Sequence, residues 1–276
     1  MKNYKVLILT FNDQCHLAPL LQDLEEVNDV VIIDSFSTDG TLEIAKQFGR
    51  QVYQHSFKNQ ATQVMWAVET LFSPNDWILR LDSDERISEA LLLEIENSIQ
   101  TTTEDFVGYL NREMYWMGKK LHYATIRNHY IARLWKPKDA FYEDVAEEHL
   151  IHSCSSKYFG TKFYENNKKN NIEYFIQKHL LTGKQEVLQL TDSTHKEEAK
   201  LFTRQGHFLR RWLKINLYNR LPIFSRAVLY FIYRYIFKLG FLDGREGFSF
   251  CFFQAFFYRM LIDQMSFEKA NKEFYE

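Results

Sequence analysis

Asp82 and Asp84 stand two residues apart at the end of the apolar run Trp77-Ile78-Leu79-Arg80-Leu81, with Glu85 directly behind them. A buried charge is costly unless it is paired or bound to a metal, so carboxylates crowded at a strand end need a counter-charge. Two aspartates around one small residue can hold a hard divalent cation, and the cation can hold a diphosphate. The same residues can also turn the chain and cap a helix over Ile87 to Glu96. An Asp-x-Asp pair alone does not choose between these roles. A second acidic group, Glu143-Asp144-Val145-Ala146-Glu147-Glu148-His149, could supply a general base for a hydroxyl nucleophile, or could be a solvated acidic loop or helix start.

Two more polar clusters follow apolar runs. Thr10-Phe11-Asn12 offers a hydroxyl and an amide to a nucleobase or ribose, and could equally form a turn with Asp13. In Asp34-Ser35-Phe36-Ser37-Thr38-Asp39-Gly40-Thr41, Asp34 can accept hydrogen bonds from a ribose or a uracil imide, and the small residues let backbone pass close to a ligand. As a loop alone, this stretch would cap a helix at Thr41. It lacks Gly-x-Gly-x-x-Gly, which disfavours the usual dinucleotide fold.

These clusters need elements to position them. The apolar pattern predicts strands over Lys5–Thr10, Val30–Asp34, Gln51–Tyr53 and Trp77–Leu81. It predicts helices over Leu17–Glu26, Thr41–Phe48 and Gln60–Phe72. Strands alternating with helices imply a parallel sheet with right-handed crossovers, in which ligands bind beyond the carboxyl ends of the strands. Every cluster in the first hundred residues falls at such an end. Phe106–Asn111 and His129–Trp135 are further strands. Asn166–Asn171 is a polar break, and Ile172–Gly183 and Leu190–Lys214 read as helices.

With 276 residues, net charge -2 and 25% charged residues, the chain is of ordinary globular composition. Cys15, Cys154 and Cys251 form no zinc pattern or disulfide framework, so a reducing compartment is expected, with Cys15 and Cys154 as small buried hydrophobes. The apolar run Val6–Leu9 is too short for a signal peptide, which points to the cytoplasmic side. Between Lys196 and Glu246, eleven basic residues face four acids. Nine Phe and four Tyr lie between Val228 and Ile262, interrupted by charges, so a membrane-spanning helix is not expected. Aromatic and basic residues in helical register suggest helices lying on a membrane surface. A helical subdomain packed on the sheet, or an oligomer interface, is the other reading. No nucleic-acid recognition motif accompanies the basic residues.

Leu9-Thr10-Phe11-Asn12, Val31-Ile32-Ile33-Asp34-Ser35-Phe36-Ser37-Thr38-Asp39-Gly40-Thr41 and Leu81-Asp82-Ser83-Asp84-Glu85 together resemble the family 2 glycosyltransferases, over roughly the first 150 residues. The resemblance implies an α/β GT-A (Rossmann-like) fold, with a mostly parallel central sheet flanked by helices, and an inverting, nucleotide-sugar-dependent enzyme using Mg²⁺ or Mn²⁺. Over its whole length the chain is similar to bacterial lipopolysaccharide and lipooligosaccharide core β-glycosyltransferases, including their 4-β-glucosyltransferase subgroup. Leu239-Gly240-Phe241-Leu242-Asp243-Gly244-Arg245-Glu246-Gly247 resembles a Gly-Phe-Leu-Asp-Gly element of that subgroup.

Carried onto this chain, the resemblance assigns Thr10, Asn12, Asp34, Ser37, Gln63, Asp82 and Arg133 to the nucleotide-sugar. It assigns Asp84 to the metal, with Asp82 as a possible second ligand. Glu148 becomes the catalytic base, with Glu147 the second choice and Asp144 a further candidate. Two departures stand out: Gln63-Val64-Met65 replaces Gln-Lys-Asn, and Glu147 replaces the histidine of a Val-His-Glu signature. Arg112, Lys119 and Arg127 could also face a phosphate. The expected organisation is a nucleotide-sugar part over 1–100, an acceptor and base part over 101–165, and a helical membrane-associated tail over 166–276. The expected activity is transfer of a hexose, glucose from UDP-glucose, onto a lipid-anchored core sugar at the inner-membrane surface. Capsule or exopolysaccharide synthesis is the alternative within the family, and a non-catalytic membrane-surface protein the alternative outside it.

Overall fold

The computed structural model describes residues 3–125, 128–142, 150–165, 172–191 and 221–271. They fall into two compact units, one within 1–118 and 128–168, the other within 119–127 and 169–276. The Asn166–Asn171 break, Arg127 and nearly all of the helix expected over Leu190–Lys214 lie outside the described residues.

In the first unit, chain order runs β1 (Lys5–Thr10), α1 (Gln14–Asp23), β2 (Val30–Asp34), α2 (Thr41–Gln47), β3 (Gln51–Gln54), α3 (Gln60–Leu71) and β4 (Ile78–Asp82). Next come β5 (Glu85–Arg86), α4 (Glu89–Thr101), β6 (Phe106–Glu113) and β7 (Tyr115–Trp116). After β8 (Lys119–Lys120), which falls within the second unit, follow β9 (His129–Trp135), β10 (Ala140–Tyr142), β11 (Leu150–His152) and β12 (Ser155–Glu165). Eight strands form one sheet in the order β3-β2-β1-β4-β9-β6-β12-β5. The pairs β1/β2, β1/β4, β2/β3 and β6/β12 are parallel. β9 runs antiparallel to β4 and β6, and β5 antiparallel to β12, so the sheet is mixed but mostly parallel. Val6, Ile8, Ile32, Leu79 and Leu81 bury one face against α1 and α4, while Leu7, Leu9, Ile33 and Ile78 pack toward α3. Strands covered on both faces read as unbroken apolar runs for this reason.

Two helix starts and the burial of two cysteines depart from the sequence reading. α1 starts three residues before Leu17, because the Asp13 carbonyl accepts both the His16 and Leu17 N–H groups at 3.0 Å. α4 is capped by Ser88, whose hydroxyl accepts the Leu91 N–H at 3.3 Å. The cap is therefore not made by Asp82 or Asp84, although Ser83 and Asp84 do form the turn between β4 and β5. Cys15 and Cys154 are half-buried rather than fully buried, whereas Cys251 is buried.

The second unit contains α5 (Ile172–Thr191), α6 (Ser225–Ile232), a π-helical turn (Tyr233–Phe237) and a 3₁₀ turn (Gly240–Asp243). α7 (Gly244–Cys251) then runs through a second π-helical stretch (Phe252–Phe257) into α8 (Tyr258–Ala270). α5 does not stop at Gly183: that glycine faces Ile262, Met265 and Tyr258 of α8, and packing carries the helix through it. Among the described residues no helix is long and apolar enough to cross a membrane.

Candidate functional site

Parallel pairing sets Thr10 opposite Asp34 and Leu9 opposite Asp82, so the ends of β2, β1 and β4 lie side by side. That alignment brings three separate sequence clusters to one carboxyl edge, the ligand-binding edge of such sheets. The β1 and β2 ends are stitched together by side chains. Asn12 donates its backbone N–H to Ser37 Oγ at 2.8 Å, and Thr38 N–H donates to Asn12 Oδ1 at 2.7 Å. The fully buried Asp34 carboxylate accepts from the Ser37 N–H at 2.9 Å, from the Ser37 hydroxyl, and from Gln54 Nε2 at 3.1 Å. Asn12 and Phe36 both hold positive φ, 50° and 61°, the cost of turning the backbone sharply just past the strand ends. Buried Gln63 binds the same edge from α3, with Oε1 2.7 Å from His55 Nδ1 and Nε2 donating to Ser35 Oγ at 3.2 Å. Thr10 Oγ1 is buried with no hydrogen-bond partner among the described residues. A hydroxyl left so at a ligand-binding edge is a natural contact for a bound polar molecule.

The β4 end carries the charge. Asp82 accepts from Arg80 Nη2 at 3.0 Å, from Arg133 Nη2 at 2.8 Å and from Gln60 Nε2 at 3.3 Å. Burial alone would push its carboxyl up, but the Arg133 and Arg80 guanidiniums outweigh burial and hold it below the ordinary carboxylate range. Arg133 also donates to Glu85, whose other oxygen accepts the Asp82 N–H at 2.9 Å. Asp84 has the opposite environment. Its carboxyl is pushed up to about 8, first by burial and then by the negative charges of Glu165, Asp82, Glu85 and Asp13. The pairing of Glu165 with Glu85 between β12 and β5 brings in the most distant of these acids. Asp13 is held beside Asp84 by a hydrogen bond from the Ser83 hydroxyl.

Two carboxylates separated by a single residue are thus tuned in opposite directions. Asp82 is neutralised by arginines, while Asp84 sits among acids where a cation would relieve the repulsion. No group of three or more His, Cys, Asp or Glu arranged to hold a metal occurs among the described residues. A cation at Asp84 would take its remaining ligands from a diphosphate and water, the ordinary way Mg²⁺ is held. The residues fit the metal in that form.

Glu147, Glu148 and Asp144 lie outside the described residues, but the residue before that segment is well placed. The Tyr142 ring lies 5.6 Å from the Arg80 guanidinium and edge-on to Trp135 at 5.5 Å. Its N–H meets Met65 Sδ at 3.4 Å. Tyr142, the last described residue before that segment, therefore ends β10 beside Arg80. Arg112, by contrast, is engaged by Glu165 at 3.3 Å, and Lys119 belongs to the second unit.

The family model for glycosyl transferase family 2 matches residues 5–177, more than half of the chain. The chain belongs to glycosyl transferase family 2. An uncharacterized glycosyltransferase of Rickettsia prowazekii is 32% identical over 106 residues, covering 38% of this chain and 36% of that protein. One from Rickettsia felis is 34% identical over 106 residues, 38% of this chain and 37% of that protein. The lipopolysaccharide core biosynthesis glycosyltransferase LpsC of Rhizobium meliloti is 29% identical over 118 residues, 40% of this chain and 42% of that protein. The chain thus spans about two fifths of the length of these relatives. Among solved structures, S. aureus TarS matches at TM-score 0.47 and 15% identity over 99% of this chain and 55% of that one, a likeness too slight to inform the site.

Within this family 2 chain, sequence reasoning passed over Arg80 and Glu165, and it gave Asp13 and Glu85 no role in the site. Arg80 had a signal, since a cation in the middle of an apolar strand needs a buried anion. Glu165 had none, because strand pairing alone brings it to Glu85.

Proposed function

We propose that this chain is an inverting, metal-dependent hexosyltransferase that moves glucose from UDP-glucose onto an inner-core sugar of a lipid-anchored lipooligosaccharide, forming a β-linkage at the cytoplasmic face of the inner membrane. The observation that carries this reading is the carboxyl edge of β2-β1-β4, where Asp84 stands among acids next to the arginine-paired Asp82. The likeness to a protein named for lipopolysaccharide core biosynthesis supports the choice of acceptor.

Thr10, Asn12 and Asp34, with Ser37 and Gln63 behind them, shape the nucleoside end of the site. Asp84 would hold Mg²⁺ or Mn²⁺, which when bound neutralises charge on the departing diphosphate. Arg133 keeps Asp82 ionised and in place, so the Asp82 charge adds to the negative field at Asp84 that a metal cation would relieve. Glu148 takes the proton from the acceptor hydroxyl as that oxygen attacks the anomeric carbon from the face opposite the leaving group. The bond from anomeric carbon to diphosphate oxygen breaks and UDP leaves, so one displacement inverts the configuration.

The test is UDP release by purified protein over a panel of UDP-sugars with Mg²⁺ or Mn²⁺, with and without a truncated lipooligosaccharide. Metal-dependent release with UDP-glucose and acceptor, lost in Asp84→Ala and Glu148→Gln, is expected. An active Glu148→Gln would remove Glu148 as the base. Absence of nucleotide binding and release under every combination would overturn the enzyme reading.

A further inference from the structure

The second unit holds a turn of fixed shape and apolar tip to which the proposed transfer mechanism gives no role. Between the π-helical turn and α7, the chain bends over Ile236–Asp243, closed by Leu239 N–H to the Ile236 carbonyl at 3.0 Å and Leu242 N–H to the Leu239 carbonyl at 2.9 Å. Leu239 sits at φ 61°, unfavourable for a leucine. The bend is held from several sides. The buried Asp243 carboxylate accepts the His122, Tyr123 and Ala124 N–H groups at 3.0, 2.8 and 2.7 Å. Gly240 and Gly247 touch backbone to backbone, and a Cβ on Gly247 would lie 2.2 Å from the Gly240 carbonyl oxygen. Beneath the bend, Tyr235 packs edge-on to Phe241 and Phe248.

A loose loop could fold its apolar side chains inward; this one cannot. Phe237 is 73% exposed and Leu242 53%, with Ile236, Leu239, Phe241 and Phe248 also exposed. A contiguous apolar surface held open in this way marks a contact site. Charge identifies the partner. Lys238 and Arg245 are exposed around the tip, whereas the nearby acids are both occupied, Asp243 by backbone N–H groups and Glu246 by Lys119 at 3.0 Å. Apolar side chains with cations around them match an anionic bilayer surface.

We infer that the Ile236–Leu242 bend is a preformed wedge that enters the interfacial layer of an anionic membrane. This deepens the proposed function, since it would hold the enzyme where a lipid-anchored acceptor is presented. It is read out by lipid binding, so it stands or falls apart from the transferase chemistry.

The experiment is co-sedimentation of the full chain with vesicles of phosphatidylethanolamine and phosphatidylglycerol, and with phosphatidylcholine alone. Salt-sensitive binding to the anionic vesicles only is expected, with partitioning reduced at least tenfold in Phe237→Ser/Leu242→Ser and reduced in Lys238→Glu/Arg245→Glu. As a check independent of the double variant's folding, Phe237→Trp should give added emission that shifts to the blue on the anionic vesicles and is quenched by brominated acyl chains. Wild-type partitioning of the double variant, or added emission from Phe237→Trp that brominated lipid leaves unquenched, would overturn the wedge. So would a self-associated chain in lipid-free solution that becomes monomeric in the double variant, since the tip would then be an interface between copies.

Discussion

At the residue scale, the site rests on two aspartates of equal chemistry and opposite surroundings. In the folded chain, burial and the neighbouring acids push the Asp84 carboxyl from its ordinary 3.8 up to about 8. The folded state therefore binds more proton than the unfolded chain between those values, and stability falls as pH rises through that window. Asp84→Asn, which cannot ionise, should remove this loss. In EDTA its melting temperature should match the wild type near pH 4 and exceed it by a few degrees at pH 9, while UDP release is abolished. An equal pH dependence of melting in both proteins would contradict the environment assigned to Asp84. Arg133 makes the complementary case. Arg133→Ala leaves buried Glu85 without its cation and Asp82 with Arg80 alone. Losing one member of a buried pair costs ~3–5 kcal/mol, and since Asp82 is 25% exposed and keeps Arg80, about 3 kcal/mol is expected here, read as a lower urea midpoint with unchanged m-value. The acids and Arg133 could be picked out by type. The division of labour between Asp82 and Asp84 could not, because it depends on where β5, β9 and β12 place Glu165 and Arg133.

At the element scale, strands β1, β2 and β9 run over the residues their apolar patterns indicate, since a strand covered on both faces leaves an uninterrupted signature. Helix ends were less legible. The cap of α4 belongs to Ser88, and Ser88→Ala should cost about 1 kcal/mol in urea unfolding and leave turnover unchanged, because the cap is separate from Asp82 and Asp84. A loss of activity matching Asp84→Ala would mean that α4 helps to hold the Asp82–Asp84 turn. In the second unit, Asp243→Asn replaces a carboxylate that receives three backbone N–H groups. Hydrogen exchange at the His122, Tyr123 and Ala124 amides should accelerate at least tenfold, and amides of β1 should not change.

At the scale of the whole molecule, the described residues form two units, and the division does not follow chain order. Residues 119–127 leave the sheet-bearing unit and join the helical one. Gly247→Ala forces a Cβ against the Gly240 carbonyl oxygen, so backbone must shift; overpacking of this kind costs ~1–3 kcal/mol. The loss should appear as faster exchange in α6, α7 and α8, with β1, β2 and β4 protected as before. Uniform acceleration across both units would show that they unfold together.

Sequence alone determined that three polar clusters end apolar strands, that a βα alternation puts strand ends at one edge, and that an aromatic, basic tail follows. Local pattern suffices there, because burial and backbone geometry act over a few residues. Tertiary structure alone decided that β9 and β5 enter the sheet antiparallel, that Arg80 and Arg133 neutralise Asp82, and that Glu165 reaches Asp84 from far along the chain. It also decided that the tail holds Phe237 and Leu242 out in solvent. Pairing register and packing bring distant side chains within a few ångströms, and charge at those distances is set by neighbours that no sequence window contains.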